Sequence, residues 1–390
     1  MMPKFSNRTG AIPALTGLRF VAALMVFFSH YPISGLGEVP ERIMASGYSG
    51  VTFFFVLSGF IIAYNYIEQF ETNPLRSTPK YLWARFSRVY PLYILSMAFV
   101  WLQKDANTPI AIYIFAAQAW HSDTSIIAGL NSPAWSVSVE FFLYLCFPLL
   151  IPAFSSLGIL RPGFNMFAAA LIVIIAQLSL AVYFGTPPHD SLTLGDPNSA
   201  HRMLYNFPLP RIFDFTLGIL TAAYYLRREE NRTNSKQWGY ASYAIAAAII
   251  LLMASKLNYL SSFSWDASYA WLFALLILSI AESQQSMLSM FLSTKKAVLL
   301  GEASFAFYLI HVIALPLFDL STQRSFAAAI AFEFMFLGLI ITMSIGLHLS
   351  VEKPCRRWLI RLVYGREKGG AHGGSINTQP SPAYRAHPPD

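Results

Sequence analysis

Arg19 and His30 stand in an otherwise apolar run, PALTGLRFVAALMVFFSHY, residues 13–31. An imidazole can take a proton from a hydroxyl near neutral pH. A guanidinium keeps its charge and presents a planar fork of donors to oxyanions. On one helix the two sit three turns apart, about 16 Å along the axis, on nearly the same face. An arginine at mid-depth in a bilayer costs about 2.5–3.5 kcal/mol on insertion scales, so one retained there usually faces a bundle interior. The competing reading has Arg19 reach the headgroups while His30 caps the helix end.

Other polar residues recur in apolar surroundings. Ser136, Glu140 and Tyr144 repeat every four residues in SPAWSVSVEFFLYLCFPLL and stripe one helix face. A carboxylate so placed needs a partner, structural or chemical. Tyr308 and His311 share a face in GEASFAFYLIHV. By topology alone, His30, Glu140 and His311 are expected to converge at one depth in the outer half of three helices. Arg85 and Arg88 in RFSRVYPLY are three apart, hence on one face, and their guanidinium forks suit phosphate oxygens. A single basic residue there would be read as an ordinary membrane-surface anchor.

Four smaller features have structural readings. Gly50, Ser58 and Gly59 allow close helix packing, and Ser58 has no neighbouring base in sequence. Arg211 and Asp214 are spaced for a local ion pair, and Glu352 and Arg356 for an i,i+4 pair. Cys146 and Cys355 lie too far apart in sequence to suggest a disulfide. His372 and His387 are too sparse for a metal, and no metal is expected.

The elements that position these groups must lie in a membrane. Of 390 residues 55% are hydrophobic and 12% charged, with a mean hydropathy of +0.48. Soluble domains carry about 25% charge. The chain therefore reads as an all-α polytopic membrane protein. Ten spans are predicted: 13–31, 48–66, 83–102, 135–154, 164–184, 210–226, 238–255, 266–282, 298–318 and 326–350. Residues 109–119 are apolar but too short to cross, so they are interfacial or re-entrant. Ten crossings put both termini on one side. Lys and Arg accumulate on that side: Lys4 and Arg8, then Arg76, Lys80, Arg85 and Arg88, then Arg227 and Arg228. The positive-inside rule makes it the cytoplasm. The net charge of +7 is thus a topological signal, with no nucleic-acid partner implied. No small-residue cleavage site follows the first span, so it is read as retained.

Residues 1–12 form a cytoplasmic N-terminal segment, 13–358 one transmembrane domain, and 359–390 a cytoplasmic tail. That tail is Gly-, Pro- and Ser-rich from Gly365 and expected to be largely disordered. The long outer loop 185–209 either covers an acceptor site or simply links spans.

Taken in order, TGLRFVAALMVFFSHY, GVTFFFVLSGF, RFSRVYPLY, PAWSVSVEFFLYLCFPLL, RIFDFTLG, ASFAFYLIHV and VEKPCRRW resemble the acyltransferase-3 family of membrane-bound acyltransferases. The likeness runs from about residue 13 to 358. It implies transfer of an acyl group, commonly acetyl from acetyl-CoA, to a hydroxyl of an envelope glycan, exopolysaccharide, antibiotic or lipid-linked sugar. It also implies a bacterial cytoplasmic (inner) membrane with lipid around the bundle. Arg19 and His30, with ten residues between them, match the family's first-span pattern. Arg85 and Arg88 match its Arg-x-x-Arg pair, and Trp135, Ser136 and Glu140 its Trp-Ser-x-x-x-Glu stretch. Thr16 and Thr52 stand where many members carry Asp.

On this resemblance Arg85 and Arg88 hold the donor's phosphates, and His30 is the general base or itself carries the acyl group. Glu140 or His311 orients it, Arg19 steadies the developing oxyanion, and Ser136, Tyr308 and His311 contact substrate. The runner-up class is a transporter in which His30, Glu140 and His311 relay protons for an exported glycan or metabolite. No inverted repeat supports it.

Overall fold

The computed structural model describes residues 12–103, 109–191, 195–228, 235–314 and 326–364. The N-terminal segment before Ile12, the tail beyond Tyr364 with His372 and His387, and the charged loop residues Lys104, Arg232 and Arg324 lie outside them. Among the described residues there is no strand. Each of the ten predicted spans falls on a long helix: α1 Pro13–His30, α2 Gly50–Thr72, α3 Pro74–Trp101, α4 Trp135–Ser156 and α5 Phe164–Tyr183, then α6 Arg211–Arg227, α7 Ser235–Ala254, α8 Ala270–Glu282, α9 Lys295–Ile310 and α10 Phe326–Leu347.

Seven of these stretches are long and apolar enough to cross a membrane. The protein is a polytopic, all-α membrane protein. The three that fall short are α3, which carries Arg85 and Arg88, and α6 and α9, which are 17 and 16 residues long. A crossing needs about 20 residues; α6 and α9 fall short in length, and α3, at 28 residues, falls short in hydropathy.

Several helices outrun their hydropathy. α2 continues to Thr72 and α3 begins at Pro74, because Pro is favoured at a helix start and needs no apolar face. A further amphipathic helix, α11 Lys353–Tyr364, runs into the first six residues assigned to the tail. Trp83 Nε1 donates to Leu359 O at 2.9 Å and ties it to α3.

Close helix approach is written in glycine. A Cβ at Gly59 would stand 2.1 Å from Phe215 O, and one at Gly218 2.0 Å from Val56 O. α2 and α6 therefore pack backbone to backbone, as small residues permit in membranes.

Between α3 and α4 the chain packs partly against the helices and leaves Phe115 and Trp120 exposed. Residues 109–134 hold the five-residue helix Ile110–Ile114 and further short turns. Tyr113, Gln118, Ala119 and Asn131 are buried there. Tyr93 Oη donates to Tyr113 O at 2.6 Å, and Asn131 Nδ2 to Leu309 O at 2.9 Å. Buried irregular backbone is tolerated at membrane depth when protein groups satisfy it. α4 consequently begins beneath this segment.

Candidate active site

His30 ends α1 and His311 follows α9. Their rings are 5.0 Å apart, nearly perpendicular, with His311 Nε2 3.4 Å from His30 Nδ1. His30 Nδ1 is 2.9 Å from Val26 O, and His311 Nδ1 is 2.7 Å from Tyr308 O. A carbonyl only accepts, so each Nδ1 carries the hydrogen and donates it. His311 Nε2 then offers its lone pair to the same His30 N–H. The His30 Nε2 lone pair is left free to take a proton. His311 is buried, with its carbonyl bonded by Tyr31 Oη at 2.9 Å, whereas His30 presents surface to a cavity.

That cavity has a volume of about 600 Å³. Ser29, Ser132, Pro133 and Trp135 line it, together with Tyr48, Tyr205 and Trp265. A second, narrow cavity of about 80 Å³ lies further toward the start of α1. Arg19, Arg85, Arg88, Ser136, Glu140 and Tyr144 line this one, each from a predicted polar position. Val51 and Tyr308 line both cavities and form their common wall. Tyr308 is fixed there because its hydroxyl donates to Pro133 O at 2.9 Å. A lateral groove of about 410 Å³, with Phe86, Phe115 and Leu145 in its walls, shares Arg85 and Tyr144 with the narrow cavity.

Within the narrow cavity Tyr144 Oη donates to Glu140 Oε1. Arg85 is buried, lies 5.3 Å over the Tyr66 ring and donates to Tyr66 Oη at 3.4 Å. Its Nε has no hydrogen-bond partner, and among the described residues neither Arg19 nor Arg88 forms an ion pair. Three guanidinium groups surround one tight space whose described lining holds one carboxylate, Glu140, which leaves donors for an anionic guest.

The expected meeting of His30, Glu140 and His311 is half right. The two histidines pair. Glu140 faces the arginines in the other cavity and touches neither imidazole. A continuous relay through all three groups is therefore not formed. The Glu352–Arg356 pair does not form either: Glu352 Oε2 accepts from His348 Nδ1 at 3.0 Å, one turn back rather than forward. Ser58 lines the narrow cavity without a base beside it. Cys146 and Cys355 are free.

Arg211 and Asp214 do pair, at 2.9 Å, and the sequence left most of their setting unseen. Both are fully buried. Asp266 Oδ1 stands 3.4 Å from Arg211 Nη1, and Gln177 Nε2 donates to both aspartates at 2.9 Å. Thr52 Oγ1 accepts from Arg211 Nη1 at 3.2 Å. Arg211 Nε and Nη2 donate to Tyr205 O and Trp265 O, at 3.0 and 2.9 Å. The arginine thus pins two walls of the wide cavity. Asp266 opens a predicted span, and only its distance to Arg211 reveals the partnership.

An imidazole thus opens on one cavity, and an arginine-lined cavity lies behind their common wall. Residues 12–350 match the acyltransferase-3 family model, described as an acyltransferase domain, and the chain belongs to that family. It is 27% identical over 381 residues to the acyltransferase MdmB of Streptomyces mycarofaciens, covering 91% of this chain and 94% of that protein. It is 22% identical over 326 residues to the O-acetyltransferase OatA of Staphylococcus aureus, covering 77% of this chain and 50% of OatA. A 154-residue stretch is 30% identical to protein 2 of the picA locus of Rhizobium radiobacter, 39% of this chain and 74% of that protein. No solved structure matches. The chain is a multi-pass membrane acyltransferase of the kind that transfers groups other than amino-acyl groups.

Proposed function

We propose that the protein transfers acetyl from acetyl-CoA to a hydroxyl of a cell-envelope glycan or lipid-linked sugar, in the cytoplasmic membrane of a bacterium. The observation that carries this reading is the common wall between the arginine-lined cavity and the cavity of His30. With both termini and the basic loops on the cytoplasmic side, Arg85 and Arg88 take the donor's phosphates. The pantetheine arm runs past Arg19 toward Tyr308. His30 Nε2 accepts the proton of the acceptor hydroxyl as its oxygen attacks the thioester carbonyl. His311 receives the opposite N–H of the same ring and so fixes its tautomer and orientation. Arg19 steadies charge on the carbonyl oxygen. CoA leaves as a thiol, taking its proton from the imidazolium. Glu140, held by Tyr144, sets the spacing of the guanidinium groups instead of orienting the base.

The same lone pair could take the acyl group covalently before the acceptor arrives. Purified protein with labelled acetyl-CoA and isolated envelope glycan tests the reading. Wild type is expected to label the glycan and His30→Ala to fail while still binding donor. Equal transfer by His30→Ala would sink it. The transporter reading lost its main support when Glu140 parted from the histidines, and acetyl-CoA binding separates the two classes.

A further inference from the structure

The last described helix leaves one face unused by the bundle. α10 has 22 residues, about 33 Å at the helical rise, which is enough for a bilayer core. α11 follows it through the turn His348–Glu352, with Pro354 in its own first turn. A proline there removes a helix hydrogen bond and lets the axis bend. Leu359 O accepts from Trp83 Nε1 at 2.9 Å, and residue 83 opens the predicted third span, 83–102. α11 therefore stays at the depth where α3 enters the membrane instead of leaving it for the cytoplasm.

The free face has two halves. At 3.6 residues per turn, Arg357 and Arg361 fall together on one side of it, and Trp358 and Leu362 on the side adjoining. Both arginines are exposed. Trp358 and Leu362 are 61% and 47% exposed, large values for apolar side chains. Leu359 and Ile360, half-buried, turn the other way. Among the described residues neither Arg357 nor Arg361 forms an ion pair, and Glu352, just before the helix, is held by His348. Water suits the arginines and not the indole; hydrocarbon suits the indole and not the arginines. Only the boundary between headgroups and acyl chains satisfies both.

We propose that α11 lies along the cytoplasmic face of the membrane and binds anionic phospholipid, with Arg357 and Arg361 on headgroup phosphates and Trp358 and Leu362 at the acyl boundary. Guanidinium forks take phosphate oxygens in pairs, and tryptophan settles at headgroup level. Net negative lipids are favoured over zwitterionic ones because the basic half carries no internal counter-charge. A second copy on this face would bring like charges together. The same helix holds Trp83, two residues before Arg85, so lipid seated here also braces the stretch of α3 that carries the arginines of the narrow cavity.

Native mass spectrometry of the full-length protein in detergent tests this, with titrations of dioleoylphosphatidylglycerol and dioleoylphosphatidylcholine. The tightest phosphatidylglycerol adduct is expected to bind at least about fivefold more strongly than phosphatidylcholine. Arg357→Gln combined with Arg361→Gln should weaken that adduct about tenfold or more, since one basic residue at an anionic surface is worth about fivefold. Arg357→Lys combined with Arg361→Lys keeps the charge and should retain the adduct. Arg76→Gln combined with Arg161→Gln removes the same charge from other exposed loop positions and should leave the adduct as in wild type. Size-exclusion profiles certify that each pair is folded. The proposal is overturned if phosphatidylcholine binds as tightly, if the α11 glutamine pair binds phosphatidylglycerol like wild type, or if the loop pair weakens it equally. Neither donor nor acceptor enters the measurement, so its outcome is independent of the acyl-transfer reading.

Discussion

The two cavities that meet at Val51 and Tyr308 solve opposite problems. One is narrow and lined by three guanidinium groups. The other is more than seven times larger, with no formally charged side chain in its described lining. A charged, flexible guest that is always the same molecule suits the first: fixed cations, little spare room. A guest that varies in shape suits the second, where rings and hydroxyls give contact without demanding a charge. The contrast teaches that polarity inside a membrane protein can be partitioned. Arg19, Arg85 and Arg88 gather on one side of the common wall and His30 opens on the other.

Four substitutions test that partition. The largest effect is expected from His30→Ala: acetyl transfer should fall about 10²–10⁴-fold, the usual worth of a general base, with acetyl-CoA binding unchanged by equilibrium dialysis. Loss of donor binding in this variant would break the separation of the two cavities. Arg88→Gln comes next. It removes one charge-assisted contact, so the KM for acetyl-CoA should rise about tenfold or more. The KM for acceptor should stay put. A matched rise in both would mean that the cavities act as one.

His311→Asn leaves His30 in place but alters the acceptor for its N–H, and kcat should drop roughly tenfold with both KM values held. The smallest effect is expected at Thr52→Val. This leaves a buried Arg211 donor unmatched and costs about 1–3 kcal/mol of stability, readable as a lower melting temperature by intrinsic fluorescence. Any kinetic trace of it should appear on the acceptor side, because Arg211 holds Tyr205 and Trp265.

Helix positions were legible in the sequence because hydropathy reports burial in lipid directly. All ten predicted spans carry a helix, and Arg85 and Arg88 line one cavity as their shared face suggested, with Arg19 beside them. Pairing across helices was legible only where depth could be counted from a span end. His30 and His311 both lie at helix ends, so their meeting followed. Glu140 was misplaced because counting depth from a span end does not say which neighbour its face meets, and it lines the cavity of Arg19, Arg85 and Arg88. The aromatic lining of the wide cavity was hidden for a different reason. Tyr48, His201, Tyr205 and Trp265 come from segments with no shared period, and only the cavity unites them. The long loop 185–209 hinted at part of it, since Gly195 and residues 201, 205 and 206 line the wide cavity. Asp266 was silent as well, its role set by Arg211, 55 positions earlier in the chain.

The imidazole pair joins residues 281 positions apart in the chain. A ribosome must therefore release nearly the whole polypeptide before the first helix acquires its companion. Until α9 inserts, His30 lacks the neighbour that fixes its ring. Residues 109–134 likewise lack the two bonds, Asn131 to Leu309 and Tyr308 to Pro133, that anchor them to α9. Contacts between the first helix and α9 are therefore among the last that the growing chain can make.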